Sequence, residues 1–136
     1  MKTAFYSTDC SIDSALVLRQ WMATHADEPI QLTVVHPYDV EAGTSLNKEV
    51  CRTAKQEAKS RLDKWLDLLP QSSPNQVKSE TLLASPELAV KLHMLLRRYD
   101  YLLVDEQIQE LSSETMAMLC QTNTQLISVS GSMAVA

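Results

Sequence analysis

The sequence predicts an α/β protein built on a parallel sheet with helices on both faces. Three observations carry this. Short apolar strand patterns alternate with longer helical patterns along the whole chain, in the order βαβαβαβαβ. One strand, "YLLVD", is an almost unbroken apolar run, as a strand covered on both faces should be. The first and third helices open on capping serines, Ser11 and Ser85, that follow a strand closely. Alternation of this kind implies right-handed crossovers and a parallel sheet.

The first strand is expected over residues 3–7 and the first helix over 11–25. Ser11 is the expected N-cap and Asp13 is favourable in the first turn. Ala15, Leu18, Met22 and Ala26 recur at helical spacing. The second strand, "IQLTVVH" at 30–36, is expected to stop at Pro37, which has no N–H for a ladder. After the loop "YDVEAGTSL", a long helix over 45–69 aligns Leu46, Val50, Ala54, Ala58, Leu62, Trp65 and Leu69 on one stripe.

"PQSSPNQ" is a turn-rich break, and a weaker strand at 77–83 reads as a sheet edge. "SPEL" opens the third helix, with Ser85 as N-cap and Pro86 at its first position. Leu88, Leu92, Leu95, Leu96 and Tyr99 are expected to mark its buried face. "YLLVD" is the fourth strand, residues 113–122 the last helix and "LISVS" the last strand.

At 136 residues the chain reads as one domain, 1–136, long enough to bury roughly two-thirds of its unfolded surface. The 45% apolar and 21% charged content belongs to ordinary globular proteins. The net charge of −5 argues against a nucleic-acid partner, which requires a clustered cationic surface. The one dense basic run, "KEVCRTAKQEAKSRLDK", alternates its cations with acids and reads as a solvated helix face. There is no apolar run of about 18 residues to span a membrane, and "MKTAFYSTD" lacks the apolar core of a signal peptide. Cys10, Cys51 and Cys120 are odd in number and widely spaced, which fits reduced thiols in a cytoplasmic protein. There are only two glycines, Gly43 and Gly131, whereas loops that wrap phosphates usually need several.

With the elements placed, the sequence resembles the universal stress protein family over essentially its whole length. "STDCS" at 7–11 is similar to the family's Pro-Thr-Asp-Gly/Phe-Ser turn, and "LTVVHPYD" to its second strand, which typically ends in His-Val. "SPELAVKL" matches the start of the third helix, and "DYLLVD" resembles the Asp-Leu-Ile-Val-Met-Gly strand. "SSETMAMLCQTNTQLISV" resembles the last helix and strand. The resemblance implies the adenine-nucleotide α-hydrolase-like fold: a five-stranded parallel sheet in order 3-2-1-4-5. It also implies a homodimer through the last strand, here from Leu126 to Ser130. An exposed apolar edge such as "LISVS" would otherwise invite uncontrolled pairing.

ATP-binding members of that family carry Gly-x₂-Gly-x₉-Gly-Ser after the fourth strand. Here Asp105 stands at the first glycine and Ser112 at the third, with Ser113 at the motif's serine. Seven positions separate Asp105 from Ser112 where the motif has 13, so six residues and all three glycines are missing. Asp105 would add repulsion where a backbone N–H cradle is needed. The family residue after the second-strand His touches adenine through its main chain; here it is Pro37, without an N–H. The remnant ligand-binding candidates are therefore Asp9, His36 and Ser113.

Each candidate has a structural alternative. Asp9 can cap the first helix rather than touch a ribose, and Ser112 and Ser113 can cap the last one. His36 lies at a strand end, where open α/β sheets carry their sites, or is a hydrogen-bonded core histidine. Cys10 precedes a helix start, which favours a thiolate, but Asp9 and Asp13 oppose it; it is a redox residue or a buried spectator. His25, His36 and His93 have no metal-ligand spacing, and no hydrolase elbow, zinc motif or Walker loop occurs. No catalytic set, metal or cofactor is expected. Three functions remain: a non-enzymatic regulatory or interaction protein that does not bind ATP tightly, a small-ligand sensor using the crevice around Asp9, or an adenine-nucleotide hydrolase-like enzyme. The protein partner is not named by the sequence.

Overall fold

A computed structural model of the chain describes residues 2–25, 27–40, 47–69, 76–104, 112–122 and 124–129. Ala26, Gly43, Leu46, Asp105, Ser130 and Gly131, which figure in the expectations above, lie outside the described residues. The elements are β1 (Lys2–Ser7), α1 (Ile12–Thr24), β2 (Ile30–Tyr38), α2 (Lys48–Leu66), β3 (Gln76–Leu83), α3 (Pro86–Leu96), β4 (Tyr101–Val104), α4 (Ser113–Cys120) and β5 (Gln125–Ser128). The five strands form one parallel sheet in the order β3-β2-β1-β4-β5. This is the expected fold.

Local chemistry sets the helix starts. Ser11, Asn47, Ser85 and Ser112 are in extended conformation, and each side chain accepts the N–H three residues on. Pro86 sits at the first turn of α3, where its missing N–H costs nothing.

Alternate strand residues feed two cores. On one face Ala4, Tyr6, Ile30, Leu32, Val34 and Leu103 pack with Leu18 and Met22 of α1 and with Leu62 and Trp65 of α2. On the other, Phe5, Val35, Leu102 and Val104 pack with Val90 and Met94 of α3 and Leu119 of α4. Leu102 and Leu103 are both fully buried, one on each face, which is why β4 needs an unbroken apolar run. β3 lies at an edge and is largely exposed along its first half.

Two expectations are corrected. Pro37 does not end β2, which continues to Tyr38. The carbonyl of Val35 accepts the Thr8 N–H at 2.9 Å, so odd-numbered residues of β2 turn their backbone toward β1. β1 pairs only as far as Ser7 with Val35, leaving Pro37 beyond its end. Tyr38 faces β3 and accepts the Ala84 N–H at 3.1 Å. The missing N–H of Pro37 therefore ends only the β1–β2 ladder, where the Thr8 carbonyl bonds His36 Nδ1 instead, and leaves the pairing with β3 intact.

The buried face of α3 is Ala89, Val90, His93 and Met94. Leu88, Leu95 and Leu96 are 46%, 69% and 78% exposed, and only Tyr99 of the expected set is fully buried. The helix carries two apolar stripes, and the one that faces inward includes a histidine. His93 packs its ring 4.8 Å from that of Phe5, with Nδ1 bonded to the Tyr99 hydroxyl at 3.1 Å and Nε2 to Glu80 at 2.6 Å. With both nitrogens satisfied, a polar residue can take the core position.

Candidate functional site

Open α/β sheets bind ligands outside the carboxyl ends of their strands, so the described residues that end β1 and β2 and open α1 and α4 define the candidate region. The β1–α1 turn is held by its own chain. Buried Thr8 shares a 2.9 Å hydrogen bond with the Ser14 hydroxyl and accepts the Cys10 N–H on Oγ1 at 3.0 Å. The indole N–H of Trp65, from α2, donates to Ser11 O at 2.9 Å and Ser14 Oγ at 3.0 Å. Ser14 Oγ also donates to Ser11 O at 2.9 Å. These bonds tie α2 to the start of α1 across 54 positions of sequence.

Asp9 is exposed at the tip of this turn, where Oδ1 accepts the Ser11 N–H at 2.9 Å. His36 is 5% exposed. Its Nδ1 lies 2.9 Å from Thr8 O, and because a carbonyl only accepts, Nδ1 carries the proton. Nε2 is then the acceptor, and it takes the Arg61 Nε–H at 3.4 Å. His36 thus joins the ends of β1 and β2 and turns Arg61 toward them. Asp9 and His36 both flank Thr8, whereas Ser113 opens α4 and has no hydrogen bond or ion pair to either among the described residues.

Cys10 has φ 63°, a left-handed conformation that costs a residue with a Cβ about 1–2 kcal/mol. Burial pushes its thiol up to about 11; the Arg61 charge opposes this and Asp9 adds to it. Near neutral pH the group is a thiol. His25 bonds Trp21 O through Nδ1 at 2.9 Å and stacks on the Trp21 ring. No cluster of potential metal ligands occurs among the described residues.

Sequence reasoning missed two residues of this region. Arg61 reads as one cation of a solvated face, although it stands four positions before buried Trp65, at the border of the apolar stripe. That spacing is the one signal that marks it. Glu87 reads as an ordinary first-turn acid of α3. In the structure its Oε1 accepts the Ser112 N–H and the Thr115 hydroxyl, each at 2.7 Å, at the start of α4. The hydrogen bonds from Ser112 and Thr115 hold its carboxyl down to about 2. Lys91 of α3 and Glu114 of α4 pair alongside at 3.7 Å. Nothing local in the sequence relates Glu87 to Ser112.

Taken together, an open five-stranded parallel sheet of order 3-2-1-4-5 with four helices defines an α/β protein. No protein-family model matches the sequence, and no curated protein matches it. Its structure is similar to that of a universal stress protein in complex with cAMP, at 14% identity and TM-score 0.53, over 94% of this chain and 96% of the other. A universal stress protein from Lactobacillus plantarum is similar at 12% identity and TM-score 0.55, over 94% and 97%. A family protein from Arabidopsis thaliana with AMP bound is similar at 10% identity and TM-score 0.53, over 96% and 92%. The chain has the fold of the universal stress proteins.

Proposed function

We propose that this protein is a regulatory or interaction protein of the universal stress protein type, acting in the cytoplasm as a homodimer without enzymatic activity or tight ATP binding. The observation that carries the reading is the Glu87 carboxylate on the first turn of α4. The family resemblance assigns that helix start to nucleotide phosphate, through Ser112 and Ser113. Here an internal anion already uses the Ser112 N–H and the Thr115 hydroxyl. An incoming phosphate must displace it or meet its charge.

Two features of the sequence act in the same direction. The loop between β4 and α4 lacks six residues and every glycine of the family's phosphate motif, and Pro37 has no N–H to offer near adenine. Losing several charge-assisted hydrogen bonds at about 1.5–3 kcal/mol each takes a micromolar site to millimolar or weaker. Dimerisation through β5 is supported by its position at the sheet edge and by Leu126, which is 43% exposed there.

A second reading, a small-ligand sensor using the crevice around Asp9, is favoured by the cAMP and AMP held by two of the similar proteins. Calorimetric titration with Mg·ATP and with AMP separates the two. The first reading expects no saturation by ATP, and a dissociation constant below about 50 μM would refute it. Saturation by AMP alone favours the sensor. Light scattering at tens of micromolar protein should give a dimer mass; a monomer would refute that part.

A further inference from the structure

β3 is the long edge of the sheet, eight residues paired with β2 on one side only. Gln76, Val77, Lys78 and Ser79 are exposed. The Ala84 N–H reaches Tyr38 O, so even-numbered positions along β3 turn their backbone toward β2. Val77, Ser79 and Thr81 therefore turn their N–H and C=O groups outward, with no partner strand among the described residues. Such an edge accepts another strand unless its side chains forbid it.

The side chains here select one partner. Glu80 lies on the α3 face, with Oε1 held by His93 Nε2 at 2.6 Å and its side chain still 39% exposed. Lys78, two residues earlier, shares that face. A lysine on an edge strand ordinarily deters pairing. Beside Glu80 it does the opposite in one arrangement. When two copies of β3 run antiparallel about Ser79, Lys78 of each stands opposite Glu80 of the other. Those are non-hydrogen-bonded positions, where facing side chains come closest. Ser79 then meets Ser79, and Val77 meets Thr81, all through outward backbone, so these positions exchange hydrogen bonds. A shift by one residue would set outward backbone against inward backbone. Centring the pair on Lys78 or on Glu80 would set like charges opposite each other. The strand is self-complementary about Ser79, as a two-fold interface requires.

We propose that the outer edge of β3 docks a second copy of this chain, antiparallel about Ser79 and joined by Lys78–Glu80 pairs. β5 lies at the opposite edge of the sheet, so the contact stands whether or not β5 pairs. One short strand pair buries less than the roughly 1,200 Å² of a stable complex. The association is therefore weak, with a dissociation constant of about 0.1–1 mM, and it adds to whatever unit exists at tens of micromolar.

Sedimentation equilibrium of the full chain tests this. Between about 20 μM and about 1 mM the average mass should rise about 1.4-fold or more. Lys78→Glu, at an exposed position, sets acids against acids and should abolish the rise. Ser79→Pro removes an outward N–H and leaves the β2 ladder whole. It should also abolish the rise, with the mass at about 20 μM unchanged. Failure of the β5 dimer would thus appear at the low concentration, and failure of this proposal at the high one. Ser79→Cys, oxidised at high concentration, should cross-link to its own copy, because paired Cα atoms about 5.5 Å apart suit a disulfide. Val77→Cys should link no more than the parent's own thiols do, since its two copies stand roughly 14 Å apart. A mass that stays flat, a rise retained in Lys78→Glu or Ser79→Pro, or equal cross-linking of the two cysteine variants would each overturn the proposal.

Discussion

Glu87, near the start of α3, caps Ser112, 25 positions further on, by accepting its backbone N–H at 2.7 Å. The same oxygen accepts the Thr115 hydroxyl, so one carboxylate serves two donors of the first turn of α4. Negative charge is favourable at that end of a helix. The contact fastens two neighbouring helices.

The first prediction follows from this contact. The Glu87 carboxyl lies near 2 in the folded protein against an ordinary value of 4.5. A depressed folded value means that the stabilisation is complete above the ordinary value and is lost as pH falls toward 2. Glu87→Gln should therefore flatten the decline of Tm between about pH 5 and pH 2. Thermal melts followed by circular dichroism measure it, and parallel curves for the two proteins would contradict the assignment.

Leu102 is 0% exposed, in the core beneath α3 and α4. Leu102→Ala should destabilise the protein by about 2–5 kcal/mol in urea unfolding. A loss under about 1 kcal/mol would mean that β4 is not the interior strand described.

Trp65 joins α2 to the start of α1 through its indole N–H, and is 2% exposed. Trp65→Phe keeps an aromatic ring but deletes both hydrogen bonds and some volume. The expected cost is about 2–4 kcal/mol. Urea unfolding of this variant within about 0.5 kcal/mol of the parent would show that the network contributes nothing net.

Cys10 should behave as an inert thiol. With its pKa raised to about 11, the thiolate fraction grows tenfold for each pH unit up to that value. The alkylation rate of Cys10, followed by peptide mass spectrometry, should climb from pH 7 to pH 10 without levelling. A plateau near neutral pH would identify an activated thiolate instead.

The sequence by itself determined the order of elements, the helix starts and the character of each strand. These depend on neighbours within a few positions. Ser11 and Ser85 cap because they precede helical patterns, and β4 reads as covered on both faces because every residue from Leu102 to Val104 is apolar. Only the tertiary structure decided the matters that rest on distant partners. Pro37 is tolerated within β2 because β1 has already ended beside it. The inward face of α3 includes His93, whose polar nitrogens are satisfied by Tyr99 and by Glu80 of the edge strand. At the candidate site, Asp9 and His36 were legible as strand-end residues, but Arg61 and Glu87 were not. Their roles exist only once packing brings α2 against the end of β2 and α3 against the start of α4, since hydrogen bonds act over a few ångströms and sequence spacing does not report that distance.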